Sequence, residues 1–524
     1  MKKLFTIKSV ILLSIIFFNF NLFAEKENEL KDEFPVQELK NHVYFLASDY
    51  LKGRVVGTEG YNIAADYVKS QFMACGLKPI IIDSTENFSF YQNIDMKRKD
   101  YFLGGSMEVY SNKEKRVFEN LKDFKIFRSM KGKVSNEEME VVYIGYGIED
   151  EEAGWNDFEG LDIKNKIAIL NLGTPHENGE PLLGKEKDDF YSSPQGRNTV
   201  FSNVLGKHPA MLLLIVNDRL RPWYNNIPGN AREMSVEYNG EDFFGNATEV
   251  FTRICLVETY LADFLISASN ITIGELDTNA SKYKTFEVPK TTVEMNIDIE
   301  YSDISSANVV GLLEGCDSIL KNEYVVIGGH LDHVEDMSGR VMNGADDNAS
   351  GITTIIEIAG FLAKNPSKRS VIFIAFTAEE QGLYGSKKFI EDCPVDTNSI
   401  VTFINFDCVG RKGFQAKDDF EILFLDAETS CEESIALIEK INEEVDGMSL
   451  AYEMPQRWGT SDHANFMSKG IPVIDFFNGA NADTHQPTDD ADRIDYEYLQ
   501  KVCILGGALV ERLANMDGRL CGDR

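Results

Sequence analysis

The second half of the chain alternates between short apolar runs and longer segments in which apolar residues recur every three or four positions. Short apolar runs bounded by turn residues predict buried strands, and the longer periodic segments predict helices. The predicted strands are Asn308–Leu313, Tyr324–Ile327, Val371–Phe376, Val401–Phe406, Glu421–Leu425 and Pro472–Phe476, and the predicted helices are Ser350–Lys364, Leu383–Glu391, Ser430–Val445 and Tyr496–Ala514. This alternation predicts an α/β fold with a mostly parallel mixed sheet flanked by helices.

The pattern differs in the first half of the chain. Residues 35–77 have helical periodicity with a glycine-marked loop around Arg54, and Pro79–Tyr91 is predicted to be a strand. From about Lys99 to Thr291, short β-like runs and turns dominate, with predicted strands at Val141–Gly147, Ile167–Leu172 and Met211–Val216. We therefore predict an N-terminal part of the main domain at residues 25–98, an inserted β-rich domain at 99–291, and the catalytic part of the main domain at 292–524.

The first 24 residues have the features of a secretory signal peptide. A basic start is followed by a short apolar core, Val10–Phe18, and Ala24 precedes the expected cleavage point. Leu22 is bulkier than a cleavage site prefers, so an uncleaved membrane anchor is the alternative. We expect a secreted or periplasmic protein without stable membrane insertion after cleavage.

Composition excludes several functional classes. The 524 residues carry a net charge of −33, which argues against binding to nucleic acid or to an anionic membrane. Eight cysteines without a CxxC pair are too few for a disulfide scaffold. A hydrophobic content of 43% is that of a globular protein with a substantial core.

Acidic residues and histidines cluster where predicted strands end. His330 and Asp332 follow one strand, the pair Glu379–Glu380 follows another, and Asp407 follows a third. The carboxyl ends of parallel strands meet at one edge of a sheet, where ligands of such folds bind. Histidine and carboxylate ligands suit zinc, and the number of acids exceeds what one tetrahedral ion needs. The pattern therefore predicts a hydrolytic centre with two metal ions.

These motifs resemble those of the co-catalytic di-zinc aminopeptidases, a family that also contains glutamate carboxypeptidases, single-zinc glutaminyl cyclases and the silent transferrin-receptor ectodomain. The matching strings are Gly328–Asp332 (GGHLD), Gly344–Gly351 (GADDNASG), Phe376–Ser386 (FTAEEQGLYGS), Asn405–Asp407 with Gly410 and Arg411, Ser461–His463 (SDH) and His485–Pro487 (HQP). The resemblance implies a fold of the zinc exopeptidase type.

The resemblance also implies a role for each matched residue. Two Zn²⁺ ions would be held by five ligands: His330 and Asp407 on one ion, Glu380 and His485 on the other, and Asp347 as the bridge. Glu379 matches the general base, and Asp332 matches the acid that orients the first ligand histidine. Outside this set, Asp346 is expected to lie behind the ligands, Asp462 and His463 to support the site, and His333 to be a nearby or surface residue. Thr484 replaces the tyrosine that often precedes the last ligand.

The implied function is that of an aminopeptidase that removes N-terminal residues from peptide substrates. A carboxypeptidase or dipeptidase on the same metal centre is the competing enzyme, and a non-catalytic binding ectodomain is the alternative from another class. The complete ligand set and base argue against a silent homologue and against a single-zinc cyclase. The oligomeric state and the side-chain preference stay open.

The insert resembles protease-associated domains found in some members of this family. The similar segments are Val142–Gly147, Trp155–Leu161 and Lys166–Leu170. Such a domain is expected to border the active-site cleft, and an independent binding or spacer module is the alternative.

Overall fold

The computed structural model describes residues 30–128, 139–226, 232–240, 253–281, 285–335, 339–413, 422–426, 432–445, 447–451 and 461–520. The described chain divides into two compact units. The first unit contains the residues up to Met96 and almost all of those from Ile304 onward, and the second contains Lys97–Asp303. The hydropathy pattern placed these transitions at Lys99 and Thr291, whereas in the structure each transition falls inside one long strand. The identification of the insert as a protease-associated domain stays a prediction.

The α-helices whose bounds are fully described are α1 Val36–Leu46, α2 Glu59–Ala74, α3 Lys185–Ser192, α4 Pro194–Leu205, α5 Arg221–Asn226, α6 Thr259–Ile266, α7 Ile273–Thr278, α8 Gly351–Lys364, α9 Tyr384–Glu391, α10 Glu432–Glu444, α11 His463–Ser468 and α12 Tyr496–Asn515. The strands are β1 Lys78–Pro79, β2 Ile81–Ile82, β3 Phe88–Ser89, β4 Tyr91–Ser111, β5 Glu114–Glu119, β6 Phe124–Arg128, β7 Met139–Tyr143, β8 Glu149–Asp150, β9 Trp155–Asn156, β10 Ile167–Leu170, β11 His176–Glu177, β12 Glu180–Pro181, β13 Met211–Ile215, β14 Arg232–Glu237, β15 Arg253–Val257, β16 Phe286–Leu313, β17 Tyr324–His330, β18 Ser370–Phe376, β19 Ile400–Asp407, β20 Ile422–Asp426, β21 Ser449–Ala451 and β22 Val473–Phe477. Among the described residues, no helix combines the length and the apolarity needed to cross a bilayer.

The sheet of the first unit has β17 near its centre. Its strand order is β21-β20-β22-β19-β17-β18, followed by the C-terminal part of β16. Strands β18, β17, β19 and β22 run parallel, whereas β16 pairs antiparallel with β18 and β20 pairs antiparallel with β22 and parallel with β21. This mixed, mostly parallel sheet with flanking helices confirms the predicted fold class.

Both faces of this sheet are buried, which explains why its strands are continuous apolar runs. Val325 and Ile327 of β17 point to one face, into a core that includes α8 and α12. Val326 points to the opposite face, where it joins Phe389 of α9 and Phe466 of α11. The alternation of side chains along β17 therefore places one core layer on each face of the sheet. Only the ends of the strands are left to carry functional side chains.

The second unit is less purely β-structured than the sequence suggested. Strands β7, β10, β13 and β15 run parallel, and β6 pairs antiparallel with β15. Helix α4 extends over twelve residues, with Ser193 as its N-cap and Pro194 at its first position. The cap and the proline were the local signals for this helix. Because apolar residues recur only weakly at helical spacing along α4, the hydropathy pattern did not predict it.

The predicted strand Pro79–Tyr91 is wrong in its length. The segment contains only the two-residue strands β2 and β3, and the chain turns between them. Asp83 accepts hydrogen bonds through Oδ1 from the backbone N–H groups of Thr85 (2.8 Å) and Asn87 (3.0 Å), which stabilises the turn. The continuous strand begins only at Tyr91.

Candidate metal centre

The predicted site residues meet at one edge of the first unit's sheet. His330 is the last residue of β17, and Asp407 is the last residue of β19, its parallel neighbour. Glu379 and Glu380 lie in the turn that follows β18. Asp347 precedes α8 and His485 follows β22, so separate loops bring these two ligands to the same edge.

His330, Asp347 and Asp407 form a first cluster. The Nε2 atom of His330 lies 3.3 Å from Oδ1 of Asp347 and 3.4 Å from Oδ1 of Asp407. All three residues are buried, and their donor atoms lie close enough together to hold one metal ion.

A second cluster forms on the other side of Asp347. The Nε2 atom of His485 lies 3.1 Å from Oδ2 of Asp347 and 3.3 Å from Oε2 of Glu380. The two carboxylate oxygens of Asp347 therefore face different clusters. This is the geometry that a bridging carboxylate requires.

The contacts of Asp332 differ from those that the resemblance implies. Its carboxylate accepts hydrogen bonds from the backbone N–H groups of Glu379 (3.1 Å) and Glu380 (3.3 Å). The Nδ1 atom of His330 instead pairs with the backbone carbonyl oxygen of Asp332, at 2.9 Å. The main chain of Asp332 thus orients the ligand imidazole, because its carboxylate is committed to the turn that carries Glu379 and Glu380.

The acids and imidazoles of the site perturb one another strongly. The charge of Glu380 is the largest influence on His485 and raises the pKa of that imidazole to about 12. Burial alone would raise the pKa of Asp347, but the neighbouring histidines, His333 first, hold it well below its usual value. Desolvation raises the pKa of Glu379 well above its usual value, and the charges of Glu380 and Asp407 add to that effect. These shifts describe a compact site with excess negative charge, which a bound divalent cation would neutralise.

Glu379 fits the role of a base that does not bind metal tightly. A carboxylate of raised pKa holds a proton more readily near neutral pH. Asp332 fixes the backbone of Glu379, and Ala378, just before it, adopts a positive φ of 54° that turns the chain out of β18. The turn directs Glu379 into the same cavity as the two clusters.

His333 lies beside the second cluster. Its side chain is fully buried, which excludes the expected surface position and leaves the other expectation, a residue near the ligands. Its Nδ1 atom lies 2.9 Å from Oε1 of Glu380 and 3.8 Å from Oδ2 of Asp347. Its ring packs edge-on against that of His485, with the centroids 5.5 Å apart.

Arg54 is a second residue whose role the sequence did not reveal. Its guanidinium is completely buried and donates four hydrogen bonds to backbone carbonyls, those of Leu46 (2.6 Å), Leu331 (2.8 Å), Asn343 (2.6 Å) and Gly344 (3.0 Å). Leu331 adjoins His330, and Gly344 begins the loop that carries Asp347. Arg54 therefore joins the backbone next to His330 to the loop that carries Asp347, from a helix-connecting segment far away in sequence.

Arg411 joins a further pair of loops. It contacts Asp346 (3.7 Å) and Asp483 (2.9 Å), and it donates a hydrogen bond to Asn481 at 2.5 Å. Asp346 is buried and accepts a hydrogen bond from the backbone N–H of Gly410 at 2.7 Å.

A cavity of about 420 Å³ opens beside the two clusters. It is lined by His330, Asp347, Glu379, Glu380, Asp407, Cys408, Ser461, His463, Asp475, Phe477, Ala480, Asn481, Thr484 and His485. The described lining therefore combines carboxylates and imidazoles on one side with small and aromatic side chains on the other. It contains no lysine or arginine.

The residues present fit zinc. The donors are imidazole nitrogens and carboxylate oxygens, the ligand types that bind zinc in hydrolytic sites. The two clusters share one carboxylate, as in centres that hold two ions.

Comparison with known proteins finds a family match within this unit. Residues 308–506 match Peptidase family M28, a family of co-catalytic zinc peptidases. This match confirms the family resemblance inferred from the motifs. The match covers β17 to β19, β22 and most of α12, and with them every residue of both clusters.

Curated relatives match over the same region. A probable leucine aminopeptidase 2 of Aspergillus oryzae is 30% identical over 204 residues, which is 38% of this chain and 38% of the relative. Aminopeptidase YwaD of Bacillus subtilis is 31% identical over 212 residues, which is 38% of this chain and 43% of the relative. The chain therefore spans less than half the length of the curated relatives that it matches.

Solved structures resemble the chain over nearly its whole length. An aminopeptidase from Aneurinibacillus sp. strain AM-1 superposes with a TM-score of 0.54 at 20% identity, covering 95% of this chain and 98% of that one. A zinc aminopeptidase from Bacillus subtilis gives a TM-score of 0.52 at 17% identity, with coverages of 92% and 96%. At this level of identity the likeness shows the fold, and it agrees with the fold class predicted from the sequence.

Proposed function

We propose that the chain is a zinc-dependent aminopeptidase that hydrolyses the peptide bond next to a free N-terminus. The observation that carries this proposal is the shared carboxylate: Asp347 presents one oxygen to the His330–Asp407 cluster and the other to the Glu380–His485 cluster. The aminopeptidase names of the relatives support the same reaction class. The count of two ions is part of the proposal.

In this proposal the five ligands hold the ions and Glu379 moves the proton. Zinc would supply Lewis-acid polarisation of the scissile carbonyl and a lowered pKa of the attacking water. The Glu379 carboxylate accepts the proton of that water and donates it to the nitrogen of the leaving amine. Asp332 keeps Glu379 in position through the backbone hydrogen bond.

The charge of the cavity favours an amino-terminal over a carboxyl-terminal exopeptidase. A carboxypeptidase needs a cationic group for the substrate carboxylate, most often arginine. Among the described lining residues none is lysine or arginine, whereas five are acidic. A lining without a cationic side chain offers no ion-pair partner for a substrate carboxylate, which favours recognition of the amino terminus.

We also propose that the first 24 residues direct the protein to a secreted or periplasmic location and that residues 99–291 are a protease-associated insert. The N-terminal sequence pattern and the similarity of Val142–Gly147 to such domains support these two proposals. The mass of the mature secreted chain tests the cleavage after Ala24.

The function is tested by hydrolysis of matched peptide pairs, one with a free N-terminus and one N-acetylated, with the zinc content measured on the same preparation. We expect cleavage of the free peptides alone, about two zinc ions per chain, and loss of activity on chelation. Sequential release of C-terminal residues from the acetylated peptides would instead identify a carboxypeptidase. A chain that binds no zinc would refute the catalytic proposal in favour of a binding ectodomain.

A further inference from the structure

The second cluster contains one more potential metal donor, His333, than the three residues that the family resemblance assigns to this position. The donor atoms of His333, Asp347, Glu380 and His485 all lie close enough to one another to hold a single ion. The groups that contain His330 have three members each: His330 with Asp347 and Asp407, and His330 with Glu379 and Glu380. The two halves of the centre therefore differ in the number of side chains available.

The spacing of the four donors fits a tetrahedral ion. A zinc ion at 2.0–2.1 Å from each of four tetrahedral ligands separates neighbouring ligands by about 3.3 Å. Three of the separations found join one set of atoms: 3.1 Å between Asp347 Oδ2 and His485 Nε2, 3.3 Å between Glu380 Oε2 and His485 Nε2, and 3.8 Å between His333 Nδ1 and Asp347 Oδ2. His333 Nδ1 also lies 2.9 Å from the other oxygen of Glu380, Oε1. These values scatter around the length expected for the edge of such a tetrahedron.

The ring of His333 is held in the direction of this cluster. A Cβ atom placed on Gly344 would lie only 2.7 Å from Cγ and Cδ2 of His333, so the imidazole packs directly against the backbone of that glycine. The side chain has no exposed surface, and the ring of His485 covers it from another side. A buried imidazole that is fixed in this way is preorganised for ligation, because little side-chain freedom is left to lose.

We propose that His333 is a fourth protein ligand, through Nδ1, at the metal position formed by Asp347, Glu380 and His485. The inference rests on the proposed function, because it assumes that this position holds zinc. It makes the centre asymmetric: the second position has four protein donors and the first has three. The second position is then the tighter of the two, and it loses zinc when His333 is replaced.

The competing role for His333 is a hydrogen bond from Nδ1–H to Glu380, which would orient that ligand without touching the ion. His333→Asn separates the two roles, because the asparagine amide places an N–H donor near the position of Nδ1 but is a poor zinc ligand. His333→Ala removes both functions. His42→Asn is the matched control, since His42 is also buried but pairs with Tyr67 and Glu357 away from the site.

The measurements are zinc affinity, by competition with a chelator, and zinc X-ray absorption on the full chain. For the wild type we expect about three imidazoles over two zinc ions, or about 1.5 per ion. Both His333 variants should lose at least tenfold in affinity for one of the two ions, while His42→Asn should lose none.

The outcomes separate this inference from the proposed function. If His333→Asn keeps wild-type affinity while His333→Ala loses it, or if the wild type shows about one imidazole per zinc, His333 is not a ligand and the aminopeptidase proposal stands. If the wild type binds no zinc, the proposed function fails, and this inference fails with it.

Discussion

Replacing Arg54 by methionine should destabilise the first unit and weaken its metal centre together. Methionine preserves most of the packing volume but has no donors, so the buried carbonyl groups of Leu46, Leu331 and Asn343 lose their hydrogen-bond partner, whereas that of Gly344 still accepts from the backbone N–H of Ala349 at 3.2 Å. An unsatisfied buried acceptor costs about 1 kcal/mol at the low end of the measured range, which gives about 3 kcal/mol for the three groups. That is a large effect for a single substitution.

The effect comes from the hydrogen bonds and not from the charge itself. Burial lowers the pKa of Arg54 to about 10, although nearby acids such as Asp347 act to raise it. Keeping this cation buried therefore costs free energy. Arg54→Lys retains the charge with fewer donors and a shorter reach. We therefore expect it to recover only part of the lost stability.

Arg369 provides the matched control. It too is a buried arginine that donates to backbone carbonyls, those of Leu513 (3.1 Å), Met516 (2.5 Å) and Gly518 (3.1 Å), and it also donates to the Glu323 carboxylate (2.8 Å), but none of these partners is a predicted metal ligand or lies in a loop that carries one. Arg369→Met should lower stability by a similar amount. Only Arg54→Met should also reduce zinc affinity, by about 10–100-fold as for other groups that support metal ligands.

The assays are urea denaturation of the zinc-free chain, followed by circular dichroism, and zinc titration of the folded chain. Since the chain has two compact units, the comparison should use the transition that both arginine variants shift. A decrease of less than about 1 kcal/mol in the free energy of unfolding of Arg54→Met would refute the count of unsatisfied carbonyls. Equal zinc affinities for the two methionine variants would refute the positioning role of Arg54.

Three further predictions follow from the site. Glu379→Gln should reduce kcat by about 10²–10⁴-fold with an unchanged zinc content, because it removes the base and no ligand; activity near the wild-type level would assign the base elsewhere. Gly344→Ala should weaken zinc binding and lower the melting temperature, because Gly344 has a φ of 56° and an added Cβ would lie 2.2 Å from the carbonyl oxygen of Asp347; an unchanged melting curve would contradict this. Arg411→Gln should lower kcat/KM about tenfold through displacement of the His485 loop, and steady-state kinetics with a normal kcat/KM would show that the loop is held by other contacts.

The strands and helices around the site were predictable because their patterns are strong. Strand β17 is apolar on both faces, α8 repeats its apolar residues at helical spacing, and the ligands stand at the points where such elements end. The predicted bounds of these elements agree with the structure to within a few residues. Short polar motifs at strand ends need no long-range information to be recognised, since the topology of a parallel sheet collects them at one edge.

The contacts of Arg54 and His333 could not be predicted in the same way. Arg54 donates to carbonyls up to 290 residues away. Because every residue has a backbone carbonyl, the sequence does not indicate which of them accepts these hydrogen bonds. His333 follows Asp332 in a loop, where no periodicity indicates which way a side chain points. Helix α4 was missed because capping rather than apolar spacing defines it.

In the proposed two-ion centre, the position of Asp347 between the two clusters would make their occupancies interdependent. An ion bound by one carboxylate oxygen orders the side chain and withdraws charge from the other oxygen, so each binding event changes the free energy of the next. By thermodynamic necessity the influence is mutual: whatever factor the first position imposes on the affinity of the second, the second imposes on the first. In this proposal, substitution of Asp407 or His485 would remove a ligand from one position, whereas substitution of Asp347 would remove a ligand from both and change the coupling between them. Titrations of this centre should therefore be described by a coupling constant and not by two separate affinities.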